Sequence, residues 1–182
     1  PWNQTQERPP KMPIPHLRDT ITGLQRMKYA VQYDGISFFY QFELRHSRCL
    51  PRRGKWHRFC RMPMGWYWAP HIAQSTANAI LAETLRRFRK LSPKADIYTA
   101  CWVDNFILAA QTEEDLRRLE EKFLQLAKEV SLELKKEEQI DLQHTTFAGI
   151  EHDLVKHQYR PLASSHTVEV PVSIRDVMKN CG

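Results

Sequence analysis

Between residues 70 and 90 apolar and small residues return every three or four positions: Ala73, Ala77, Ile80, Thr84 and Phe88 fall on one stripe. That period predicts a helix, and Pro70 suits its first turn. A second stripe, Leu116, Leu119, Phe123, Leu126 and Val130, alternates with Glu and Arg and predicts an amphipathic helix. Thr112, with Asp115 three residues on, resembles a capping box at its start. A shorter helix is expected over 15–27, with Leu17, Ile21 and Leu24 on one face. Apolar runs over 29–33, 97–103 and 106–110 read as strands; the second and third flank a hairpin tip. Extended segments are expected at 41–44 and 132–134, and a hairpin over 145–154. The tail from 155 is irregular, with a further helix beginning in its last dozen residues. Helices alternating with a mainly antiparallel sheet give an α+β fold.

At 182 residues the chain suffices for one domain or two small subdomains sharing a core. With 42% hydrophobic and 26% charged residues it is globular rather than disordered. No apolar stretch approaches the roughly 20 residues that span a bilayer, and the N-terminus has no signal-peptide character. An intracellular protein, cytoplasmic or nuclear, is therefore expected, with no membrane partner.

Charge changes the picture more. The net +6 is local: Arg45, Arg48, Arg52, Arg53, Lys55, Arg58 and Arg61 stand together without an acidic residue, and the rest of the chain is close to neutral. Interleaved with Trp56, His57 and Phe59, the segment suits a phosphate backbone with some stacking. A solvated charge run is the competing reading. The four cysteines form no CxxC. His46 with Cys49 and His57 with Cys60 repeat an HxxC spacing compatible with zinc, or they simply alternate along a basic hairpin.

The candidate chemistry lies in two carboxylates. Asp34 ends the strand-like run 29–33 and precedes Phe38, Phe39 and Tyr40; Asp104 sits within Trp102, Val103, Asp104, Asn105 between two apolar runs. Carboxylates converging from separate strands can hold a pair of divalent metals for phosphoryl transfer. Between them lies Met62, Pro63, Met64, Gly65, Trp66, a turn leading into the long helix, and after them comes Phe147, Ala148, Gly149, Ile150.

These four motifs, in this order over 13–154, resemble the fingers–palm region of a reverse transcriptase. The likeness is nearest to those of LTR-type or tyrosine-recombinase retrotransposons. The resemblance implies a polymerase palm, a mainly antiparallel sheet on two helices, with partial fingers. It divides the chain into a proline-rich lead-in and finger helix (1–27), a fingers–palm core (28–154) and a palm end or start of the thumb (155–182). It implies an RNA-directed DNA polymerase that extends a primer with dNTPs on an RNA or DNA template, using two Mg²⁺, with Mn²⁺ as a substitute. By the same resemblance Asp34 and Asp104 ligate metal, and Asn105 stands beside them as a third catalytic position, where the family usually has a second aspartate. Phe39, five residues after Asp34, matches the steric gate against a 2′ hydroxyl. Met64 and Gly65 match the turn that touches the incoming nucleotide. Arg52, Arg53, Lys55, Arg58 and Arg61 would bind nucleic acid, and Phe147, Ala148 and Gly149 would grip the primer end. Either Lys135 or Lys136 would approach the pyrophosphate. Thumb and ribonuclease H regions of a larger polyprotein are expected partners. Asn105 also raises an alternative, a palm without chemistry kept as a nucleic-acid-binding or assembly module.

Overall fold

A computed structural model of the protein describes residues 3, 7–45, 50–137 and 143–162. Helix α1 spans Leu17–Gln25, α2 Ala69–Arg89 and α3 Glu113–Glu129. The strands are β1 (Tyr29–Gly35), β2 (Leu50–Arg52), β3 (Lys55–His57), β4 (Ile97–Trp102), β5 (Asn105–Ala110), β6 (Leu134–Lys136), β7 (His144–Phe147), β8 (Ile150–Asp153) and β9 (Gln158–Pro161), with a 3₁₀ turn over Phe38–Gln41. The main sheet has the order β4-β5-β1-β6 and is antiparallel throughout. A ribbon, β2-β3, and a three-stranded sheet, β7-β8-β9, complete the fold.

The main sheet is buried on both faces, which explains why β5 reads as an almost unbroken apolar run. Val31, Tyr33, Phe106 and Leu108 point to one side, where they meet the stripes of α2 and α3 around Phe88, Leu119 and Phe123. The alternate residues Ala30, Ile107 and Ala109 point to the other, where they meet Leu24 of α1 and Phe147 of β7. The result is three layers with the sheet in the middle. Thr112 caps α3 as expected, its hydroxyl accepting from the Asp115 N–H at 3.2 Å. Arg87 of α2 ties the two helices together, reaching Glu83 and, in bidentate fashion at 2.8 Å, Glu129 of α3.

Several local expectations shift. Leu17 is exposed, and α1 instead buries Thr20 and Leu24. Gly23 between them lets the helix sit on the Tyr98 ring, which any Cβ would strike. Val130 caps α3 in solvent rather than extending its apolar face. The strand expected at 132–134 begins two residues later, because Ser131, at φ 56°, first reverses the chain after α3. The extended stretch expected at 41–44 begins one residue later: Gln41 ends the 3₁₀ turn, and Phe42 to Leu44 run extended around a bridge between Glu43 and Arg61, with the Leu44 N–H donating to the Cys60 carbonyl at 2.9 Å and the Met62 N–H to the Phe42 carbonyl at 3.0 Å. The tail supplies β9, whose pattern of four exposed residues gave no period to read.

Candidate active site

Strand β1 delivers Asp34 at its C-terminal end, directly opposite Asn105 on β5. The next residue fixes the register: the Gly35 N–H donates to the Asp104 carbonyl at 2.9 Å. Asp34 and Asn105 therefore form a non-hydrogen-bonded pair, the position at which facing side chains come closest. On the other side of β1, Asp34 pairs with Lys135 of β6, and beyond Asn105 lies Trp102 of β4. One row thus crosses the sheet: Trp102, Asn105, Asp34, Lys135. All four project to the face opposite α2 and α3, as strand alternation requires.

Asp104 stands at the tip beside this row. Trp102 pairs with Asn105, so the β4-β5 hairpin turns in two residues, Val103 and Asp104. Such a turn needs positive φ at its first central position, and Val103 adopts 58°. A β-branched residue disfavours that region, so its neighbours must hold it there. Gln74 of α2 does so. Its fully buried amide accepts from the Val103 N–H at 2.8 Å and donates to the Cys101 carbonyl at 3.1 Å. Asn78, one turn along α2, accepts from the Cys101 thiol at 3.1 Å, and burial pushes that thiol up to about 12, so it stays a neutral donor. Gln74 was missed in the sequence because it lies beside Ala73 and Ala77 on a helix face that reads simply as core.

Electrostatics agree with this convergence. The Asp34 carboxyl is held above its ordinary value, first by burial and then by the Asp104 carboxylate, while the Lys135 ammonium opposes both. Two like charges near a half-buried site form a centre that a cation would relieve. The lysines also separate. Lys135 joins the Asp34 row, whereas Lys136 turns to the helix side, bonding Glu120 at 2.6 Å above the Tyr33 ring.

The surrounding candidates are placed as follows. Of the three aromatics after Asp34, Phe38 is the one that turns inward, its ring lying over Gly35; a Cβ on that glycine would come within 2.6 Å of it. Phe39 is left half-buried at the edge of the core and Tyr40 exposed. Met64 and Gly65 form an exposed turn, with Gly65 at φ 82° and the Trp66 N–H donating back to the Pro63 carbonyl at 3.4 Å. Asn3 donates to the Gly65 carbonyl at 2.8 Å, so the lead-in lies against this turn. The basic segment is the β2-β3 ribbon, turned at Arg53 and Gly54, both at positive φ. Arg53 and Lys55 are exposed on it beside Trp56, and Arg58, Phe59 and Arg61 follow it, also exposed. Arg48, His46 and Cys49 lie outside the described residues; among those described, no three His, Cys, Asp or Glu side chains form a metal-holding group.

One assignment is corrected by burial. Phe147, expected to grip a primer, is 2% exposed and anchors the second core. Its ring is unavailable to a ligand, and the tip of the β7-β8 hairpin is the half-buried Ala148 with the exposed Gly149, at φ 52° and 76°.

An antiparallel sheet on two helices, with one carboxylate on a central strand and another on the adjoining hairpin tip, defines the class of the polymerase palm. Residues 11–145 match the family model described as reverse transcriptase (RNA-dependent DNA polymerase). The chain belongs to that family. Among solved structures it is similar to a foamy viral protease-reverse transcriptase in complex with ds DNA, with a TM-score of 0.68 and 16% identity over 98% of this chain. The chain spans 30% of that protein's length. No curated protein matches it. Among the described residues no helix is long and apolar enough to cross a membrane.

Proposed function

We propose that this chain is the fingers–palm part of an RNA-directed DNA polymerase, in which Asp34 and Asp104 carry the nucleotidyl transfer. The observation that carries the reading is the convergence of these carboxylates, close enough for Asp104 to hold the Asp34 carboxyl above its ordinary value. Their hard oxygen donors, with the Asn105 amide oxygen beside them, fit Mg²⁺ or Mn²⁺. When bound, such ions supply charge neutralisation at the reacting phosphate and activation of the attacking hydroxyl.

The chain's own residues set the geometry. Gln74 and the Gly35-to-Asp104 bond hold the hairpin tip against β1, so both carboxylates are aimed before any ligand arrives. Lys135, in the Asp34 row, offers an ammonium to departing phosphate charge. Phe39 closes the space beneath a bound sugar, and the Met64–Gly65 turn lets backbone approach the nucleotide. The ribbon with Arg52, Arg53, Lys55, Arg58 and Arg61 holds template or primer phosphates, and Ala148 and Gly149 meet the primer end. Partners on this reading are an RNA or DNA template with primer, dNTPs, and the thumb and ribonuclease H regions of a retroelement polyprotein. The resemblance of its motifs is to an element of LTR or tyrosine-recombinase type.

The test is extension of a DNA primer on an RNA template by the full-length protein, with dNTPs and NTPs compared. Extension with dNTPs alone is expected. Phe39→Val should admit NTPs while largely preserving dNTP use, because removing the ring opens the volume where a 2′ hydroxyl clashes. Equal use of both nucleotides by the unaltered protein would contradict the reading, and unchanged discrimination in Phe39→Val would return Phe39 to the core.

A further inference from the structure

Gln32 sits on β1 two residues before Asp34 and on the same face, yet it is 2% exposed. Its row across the sheet is Ala100, Ile107 and Gln32, directly beneath the polar row of the site. Around it lies the apolar second core of Leu24, Met27, Ala30, Ile107 and Phe147. A buried amide in such surroundings needs partners, and both of its N–H groups have them: one donates to the Thr145 hydroxyl, the other to the Thr146 carbonyl at 2.6 Å. Both acceptors belong to β7, whose hairpin ends two residues later at Ala148 and Gly149. Directly across from Thr145 stands His152, 1% exposed, with neither ring nitrogen hydrogen-bonded. The imidazole therefore adds no directional link of its own.

Apolar contact between two layers is non-directional and permits sliding, whereas a two-pronged amide bond fixes both height and register. Its net contribution to stability is small, only about 0.5–1.5 kcal/mol per hydrogen bond. Leucine at this position would serve burial as well. The feature that glutamine adds is location, a use of buried polar groups best attested in setting register.

We propose that Gln32 is a positioning residue that clamps the β7-β8 hairpin to the strand carrying Asp34, and so sets where a nucleic-acid 3′ end lies relative to Asp34 and Asp104. The proposal rests on the polymerase reading. It assigns one strand two tasks: Asp34 at its end serves the chemistry, and Gln32 two residues earlier places the group that reacts.

The test compares the full-length protein with Gln32→Leu, Thr145→Val and the double variant, by amide hydrogen exchange and by steady-state extension of a saturating primed template. In Gln32→Leu, exchange over 144–153 should quicken while β1 and β5 stay protected. Its kcat should fall about 10- to 100-fold, the loss expected when reacting atoms are misplaced by about an ångström. KM for dNTP, set elsewhere, should stay within about twofold. Thr145→Val should show a smaller loss in the same direction, and the double variant should match Gln32→Leu rather than add to it. Unchanged exchange over 144–153 would overturn the proposal, as would an unchanged kcat in a protein whose hairpin has loosened. Recovery of kcat in the apolar double variant would also overturn it, because the role would then be packing. If the unaltered protein extends no primer while Gln32→Leu still loosens the hairpin, the clamp stands as structure, but the polymerase reading fails and the 3′-end assignment with it.

Discussion

Asp34→Asn and Asp104→Asn are each expected to abolish primer extension while leaving the domain folded. The functional loss follows from removing a carboxylate aimed at the reacting phosphate; even a single preorganised electrostatic donor is worth about 10²–10³-fold in kcat. The folded state has the opposite interest. Asp34 is partly desolvated and faces the Asp104 carboxylate, and together these hold its carboxyl above the ordinary value. Burial and the neighbouring carboxylate both penalise the charged form relative to water, so the neutral amide relieves repulsion. Thermal melting should therefore be unchanged or slightly higher in Asp34→Asn, with extension lost. The pair of readouts separates a catalytic carboxylate from a structural one, because a structural aspartate would lose both together. Retention of extension within about tenfold in either variant would remove that residue from the chemistry.

The second large effect is expected at Gln74. Gln74→Met keeps the volume and removes every hydrogen bond, leaving the Val103 N–H and the Cys101 carbonyl without this buried partner. Each orphaned group costs about 1–3 kcal/mol, and Val103 at φ 58° is the residue least able to tolerate the loss. The turn should relax, carrying Asp104 away from Asp34. Melting should fall by several degrees and kcat by more than the unfolded fraction explains, with the Asp34 carboxyl returning toward its ordinary value as Asp104 retreats. Gln74→Glu should be intermediate in activity: it still accepts from Val103 but sets a carboxylate oxygen against the Cys101 carbonyl. Full extension by Gln74→Met would show that the turn holds itself.

The fold was legible where period and chemistry pointed the same way. The stripes of α2 and α3, the cap at Thr112 and the hairpin tip at Asp104 are all local signals, and each formed as read except for Val130 at the end of the α3 stripe. What escaped was decided at a distance. Leu17 is apolar and exposed because α1 is oriented by the close approach of Gly23 to Tyr98, a residue 75 positions later in the chain. Phe147 sits in a motif that resembles a ligand-binding tip, yet it is buried in the same core cluster as Leu24 and Ile107. Gln74 and Gln32 carried no signal, since a polar residue inside an apolar pattern says only that a partner exists somewhere. The lysine pair was ambiguous by register alone, and the ladder places Lys135 opposite Asp34 with Lys136 on the helix side.

Asn105 is the point on which the account turns. It faces Asp34 at the closest kind of strand pair and offers an amide oxygen where the family pattern has a carboxylate. An amide retains a hard donor but contributes no charge, so the site should work and demand more metal. The decisive measurement is a Mg²⁺ and Mn²⁺ titration of RNA-templated primer extension by the full-length protein and by Asn105→Asp. Extension by the unaltered protein is expected, with half-saturation at a lower metal concentration in Asn105→Asp. An unaltered protein inert in both metals, gaining extension only as Asn105→Asp, would contradict it and leave a palm that binds nucleic acid without acting on it.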